Sequence, residues 1–210
     1  MNIVTQLSSQ IGDRTEAANR RVAEQCLADP TLLADIADGV LSRDDKLQGD
    51  CAEVLTKTAA AKPELVVPYV MNLVRLLSHK TTRVRWEAMH ALALIAEFVP
   101  DIVESRLAQL ANMIQTDKSA IVRDHAVDAV GNYAKTGRQA AEKAFPILKG
   151  ALRAWGGKHA ARALNGLGIV AEVLPDCRNE VYGIAGQYLG YKRGVVAKAA
   201  KSLLKRLEPE

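Results

Sequence analysis

The side chains able to do chemistry in this chain of 210 residues are few and far apart. The four histidines stand at His79, His90, His125 and His159. No two share the His-x-x-x-His spacing that puts a pair of imidazoles on one helix face for a metal. Cys26, Cys51 and Cys177 are odd in number and distant in sequence, which fits unpaired thiols in a reducing compartment rather than a disulfide set or a metal site. Gly156-Gly157, and Gly166 with Gly168, lack the strand before and the helix after that a phosphate-cradling loop requires. Nothing is spaced as a Ser/His/Asp or Cys/His catalytic set. The expectation is a non-enzyme with no cofactor and no metal.

Binding chemistry is better represented. Trp86 falls on the polar side of a helical pattern, where a large aromatic is uncommon. Cations are unevenly spread. Residues 1–105 hold 11 Lys/Arg against 15 Asp/Glu, and residues 106–210 hold 17 against 9. Lys158, Arg162, Lys192, Arg193, Lys198, Lys201, Lys205 and Arg206 gather late in the chain, and Lys198, Lys201 and Lys205 recur at helical spacing. Such a stripe suits phosphates, with an affinity that falls as salt rises, and equally suits the solvated outer face of a last helix.

The elements that carry these residues repeat. The stretch from Thr82 to Pro100 returns at an offset of 37 to 38 residues: Val84-Arg85, Ala88 and Ala96 align with Val122-Arg123, Ala126 and Ala134. At an offset of 75, Ala96-Glu97 and Pro100-Asp101 align with Ala171-Glu172 and Pro175-Asp176. A period of this length, built only from helical pattern, indicates stacked helical hairpins. Val84, Ala88, Ala91, Leu92 and Ile95 share one face at 100° per residue, opposite Trp86, His90, Ala93 and Glu97. Hydrophobic residues make up 49 % of the chain and aromatics 4 %, so small Ala-rich helix contacts are expected and a β-rich core is not.

The chain divides into a single domain of an N-terminal cap (1–29) and five repeats at 30–63, 64–100, 101–137, 138–175 and 176–210. The cap reads as helices over 2–11 and 13–28, the second with an Asp13–Glu16 capping signal. The first helices read as 31–41, 64–78, 101–115, 138–155 and 176–189. The second helices read as 47–60, 83–98, 120–135, 158–174 and 195–207. Turns of a few residues make paired helices antiparallel neighbours. No apolar run reaches the roughly 18 residues that span a bilayer, so no membrane partner is expected. Met1–Gln6 has no basic, apolar leader pattern. A cytoplasmic location is the expectation.

Val84-Arg85 with Ala88, and Val122-Arg123 with Ala126 and Asp117 in the preceding turn, resemble HEAT repeats. Pro68 and Pro146 inside first helices resemble that family's kinking proline. Leu47-Gln48, His159-Ala160 and Val196-Ala197 stand in place of Val-Arg in the other repeats. The resemblance covers residues 30–207. It implies an all-α, right-handed α-α superhelix, a HEAT/armadillo-like solenoid of about five hairpins plus the cap. It also implies second helices lining a concave face, with rows Gly49, Trp86, Asp124, Ala161, Lys198 and Glu53, His90, Asp128, Asn165, Ser202. Arg85 and Arg123 take a structural role there, holding turn carboxylates and carbonyls of the neighbouring repeat.

Three readings follow. The leading one is a non-catalytic scaffold that binds another protein on a concave surface of Trp86, His90, Asp124, Asp128, Arg162 and Asn165. The alternative is nucleic-acid binding, with Lys158, Lys192, Arg193, Lys198, Lys201 and Lys205 as phosphate-binding residues. The third rests on similarity to the alkylpurine DNA glycosylases, with Trp86, Asp124, Asp128 and Arg162 converging on a nucleotide. His90, Asp124 and Asp128 could share a metal only through such rows, and a solvated surface is the expectation for them.

Overall fold

The computed structural model describes residues 2–208. The outer limits of the first and last sequence segments, at Met1 and Glu210, lie outside the described residues. Among those described there is no strand. The helices are α1 (Ser8–Ile11), α2 (Ala17–Ala28), α3 (Leu33–Gly39), α4 (Asp45–Ala61), α5 (Val70–Leu76), α6 (Thr82–Ile95), α7 (Pro100–Thr116), α8 (Ala120–Tyr133), α9 (Arg138–Ala151), α10 (Ala160–Val173), α11 (Arg178–Gln187) and α12 (Gly194–Leu207). They form two compact units, Met1–Val99 and Pro100–Glu210.

In the first unit, α3 packs on α4 and α5 on α6, while α2, α4 and α6 lie side by side as a layer. The predicted face of α6 is the buried one: Val84, Ala88, Ala91, Leu92 and Ile95 are inaccessible, and Met89 joins them. Burying each such side chain contributes about 1.5–3 kcal/mol for the larger ones. Ala93, expected on the outer side, is also buried.

Three expectations fail here for local reasons. The first helix of the second repeat is not continuous over 64–78. Pro63 and Pro68 lack the N–H that a helix interior needs, so residues 63–65 and 67–69 form separate 3-10 turns and α5 begins only at Val70. The cap is also shorter, with a 3-10 turn at Ile3–Gln6 before α1. Finally, Asp13 does not form a capping box with Glu16. Its carboxylate accepts from the N–H of Thr15 at 2.8 Å and of Ala18 at 3.3 Å, and the helix starts at Ala17.

In the second unit, α7 packs on α8, α9 on α10 and α11 on α12, and α8, α10 and α12 form the layer. Two glycines set the α8–α10 approach. A Cβ at Gly131 would lie 3.3 Å from Gly166 Cα, and one at Gly166 would lie 3.5 Å from Gly131 Cα and meet Leu148 Cδ2 of α9 at 2.9 Å. Pro146 is accommodated inside α9. That helix stops at Ala151, not at Trp155 as expected. Trp155 adopts left-handed φ 51°, ψ 42°, ahead of Gly156 (φ 65°) and Gly157 (φ 75°). A bulky residue in that region is strained by about 1–3 kcal/mol and must be held by its surroundings.

Candidate functional site

In the first unit a polar cluster interrupts the apolar layer. Asp50 and Glu53, three apart on α4, project from the buried side and are 1 % and 4 % exposed. Asn19 of α2, fully buried, donates through Nδ2 to Asp50 Oδ1 at 3.0 Å and to Glu53 Oε2 at 2.8 Å. Arg83 of α6 donates through Nη2 to the same two oxygens at 2.7 and 2.8 Å. Ser9 N–H closes the set on Asp50 Oδ2 at 2.7 Å, and Lys57 Nζ lies 3.1 Å from Glu53 Oε1. Burial pushes the Asp50 carboxyl up, but its hydrogen bonds from Ser9, Asn19 and Arg83 outweigh this and hold it below the usual range.

Ser9, Asp50, Glu53 and Arg83 line a pocket of about 390 Å³ together with Trp86, Glu87, Asp13 and Glu16 and the cations Arg14 and Lys46. Trp86 is half-buried, and its indole N–H donates to Glu87 Oε1 at 2.7 Å. Burial pushes the Glu87 carboxyl above its usual range, against the pull of that indole N–H. His90, one turn along α6, is half-buried and does not line the pocket.

In the second unit the concave candidates neutralise one another. Asp128 accepts from Arg162 Nη1, and Asp124 Oδ1 lies 3.4 Å from Arg162 Nε. Asp124 Oδ1 is also 2.6 Å from Nδ1 of His159, which is 1 % exposed. Arg123 Nε donates to His159 Nε2 at 2.8 Å. An arginine N–H can only donate, so Nε2 is the acceptor and the ring proton sits on Nδ1, donating to Asp124. Burial raises Asp124, and the His159 N–H and Arg162 charge overcome that and hold it low. Asn165 is exposed on α10 and outside this network. Arg162 thus brings Asp124 and Asp128 together across α8 and α10. Among the described residues, no group of three or more His, Cys, Asp and Glu side chains is arranged to hold a metal.

Arg85 and Arg123 both reach back to turn carbonyls. Arg85 donates to His79 O at 2.7 Å and Lys80 O at 2.9 Å, and Arg123 donates to Asp117 O. These carbonyls belong to each arginine's own hairpin turn rather than to a neighbour's. Arg123 does more: it is 2 % exposed and its guanidinium stacks 3.8 Å from the Trp155 ring centroid.

The six candidate phosphate binders fall in two places. Lys198, Lys201 and Lys205 are exposed along α12, whose other side buries Val196, Ala200, Leu203 and Leu207. Lys158, Lys192 and Arg193 sit at the turns that precede α10 and α12, where Arg193 Nη1 donates to Lys158 O at 3.0 Å. Asn19, Asp50, Arg83 and Glu87 went unnoticed in the sequence. The available signal was Asp50 and Glu53 at i, i+3 within an otherwise apolar helix face.

No family model matches the sequence, and no curated protein does. Solved structures do. A designed armadillo repeat protein matches with a TM-score of 0.74 at 19 % identity, over 98 % of this chain and 98 % of its own. A second, solved in complex with a (KR)4 peptide, matches with a TM-score of 0.73 at 18 % identity, over 98 % of both chains. An engineered protein matches with a TM-score of 0.71 at 18 % identity, over 99 % of this chain and 97 % of its own. At such identities the likeness is one of fold, and the fold of this chain is an all-α, armadillo/HEAT-like helical repeat.

Proposed function

We propose that this chain is a non-catalytic scaffold that binds a segment of another protein, and that the first unit's pocket takes a cationic side chain of that segment. The observation that carries this reading is Trp86, half-buried in the wall of a pocket of about 390 Å³ beside Glu87, whose carboxyl accepts from the Trp86 indole N–H. A tryptophan face attracts a Lys or Arg head, and a neighbouring carboxylate adds charge. The fold likeness to a designed repeat protein solved with a (KR)4 peptide supports a protein partner in general terms. A cytoplasmic setting is part of the proposal. It is supported by three unpaired thiols, of which burial pushes Cys26 up to about 11 and Cys51 up to about 12.

The test is a calorimetric titration with an alternating Lys/Arg octapeptide and its all-Ser counterpart. Binding of the basic peptide alone is expected, weakened about 5-fold or more by Trp86→Ala, as for loss of a desolvated cation–π contact of about 1 kcal/mol or above. Equal affinity of wild type and Trp86→Ala would remove the basis for the proposal.

A further inference from the structure

We propose that the turn edge of the second unit's last two hairpins docks single-stranded nucleic acid, with a base stacked on Trp155 and phosphates on Arg153, Lys158, Lys192 and Arg193. The inference is independent of the peptide site, which lies in the other unit.

The platform comes first. Trp155 is 48 % exposed although its ring stacks on Arg123, so one face is covered and the other is open to solvent. The covering guanidinium is itself buried and pinned by Asp117 O and His159 Nε2. The backbone holds the ring in a left-handed conformation that nothing local favours for tryptophan. Tyr191 steadies the following residue, its hydroxyl donating to Gly156 O at 2.9 Å, and its ring lies 5.4 Å from that of Tyr188. A fixed, half-open aromatic ring is what unpaired bases stack on, whatever their sequence.

The charge supports the same partner. Residues 143–171 and 181–207 hold five and six Lys/Arg and no Asp or Glu. Lys143, Lys149, Arg162 and Arg206 in those stretches each hold a carboxylate from elsewhere. Arg153, Lys158, Lys192 and Arg193 are exposed at the turn edge, and among the described residues none is in an ion pair. The α10 and α12 N-termini open at the same edge without a side-chain cap, which adds partial positive charge there. A phosphorylated peptide would use the cations and leave the open indole without a role; a nucleobase uses both. Duplex DNA would keep its bases stacked on one another and out of reach of Trp155.

Fluorescence anisotropy with a labelled oligothymidylate of about 15 nucleotides tests this, since sites of this kind span roughly 4–16 nucleotides. Four phosphate contacts predict a log–log salt slope of about −2.8, hence about a 50-fold loss of affinity between 50 and 200 mM salt. Lys192→Gln with Arg193→Gln should reduce the slope to about −1.4. Trp155→Ala should weaken binding about 5- to 150-fold, and Trp155→Tyr, which keeps a stacking ring, should restore most of it. Far-UV circular dichroism and a thermal melt that keeps the wild-type amplitude confirm that each variant is folded. No binding at 50 mM salt would overturn the inference. So would a Trp155→Ala variant that binds as wild type, or inorganic polyphosphate competing as well as the oligonucleotide.

Discussion

Replacing Arg83 by Ala removes the cation that two buried carboxylates share. Its Nη2 lies 2.7 Å from Asp50 and 2.8 Å from Glu53, whose side chains are 2 % and 5 % exposed. Breaking a buried pair typically costs about 3–5 kcal/mol, because the carboxylates stay behind without their partner. Two features lower that figure. The Arg83 side chain is 39 % exposed, so solvent screens part of its attraction. Ser9 and Asn19 continue to hold Asp50, and Lys57 continues to face Glu53. The expected loss at pH 7 is therefore about 2–3 kcal/mol, or roughly 1–2 M in urea midpoint for a unit of this size. Each unit contains one tryptophan, Trp86 and Trp155 respectively, so urea unfolding followed by fluorescence in a Trp155→Phe background reports the first unit alone. In an Asp50→Asn, Glu53→Gln background the same Arg83→Ala change should cost less than about 1 kcal/mol, since no buried anion is left to strand. A loss below about 0.5 kcal/mol in the parent, the level of an ordinary surface change, would falsify the account of this cluster as a coupled unit.

Further outcomes are expected from single features. Asp50 and Asp124 have folded-state values held below the ordinary 3.8, so the stability they contribute is present above that pH and is lost as pH falls through their folded values; acid titration of the urea midpoint should show a decline starting near pH 4. Glu87 has the opposite sign: raised above 4.5, it contributes fully below that pH and loses its contribution as pH rises, so Glu87→Gln should raise the midpoint more at pH 7 than at pH 4, and an equal change at both would contradict this. Gly131→Ala should destabilise the second unit by about 1–2 kcal/mol, since the added methyl meets the Gly166 backbone, whereas Gly186→Ala in α11, with nothing within 4 Å, should be neutral or stabilising by about 0.5–1 kcal/mol; thermal melts of the pair decide. Arg123→Gln strands the buried His159 acceptor and uncovers one Trp155 face, so a loss of about 2–4 kcal/mol and a shifted Trp155 emission are expected, and unchanged emission would refute the stacking.

The repeat architecture was legible because it is written in local, periodic terms. The 37-to-38-residue period and the α6 stripe of Val84, Ala88, Ala91, Leu92 and Ile95 follow from 3.6-residue geometry, which each stretch carries within itself. The turn positions between hairpins could be read in the same way; the failure at Pro68 is a local proline effect, and the one at Trp155 marks where a neighbour mattered. The sites were not legible, since their members converge from different helices. Asn19, Asp50 and Arg83 are about 30 residues apart along the chain, and His159 is isolated in sequence until α8 brings Arg123 and Asp124 to its two ring nitrogens. Trp155 looks like a helix end in sequence; two following glycines and a buried guanidinium from another hairpin turn it into an exposed plate. Periodicity determines which face of a helix is buried, and only the stacking of helices determines which polar groups meet across that face.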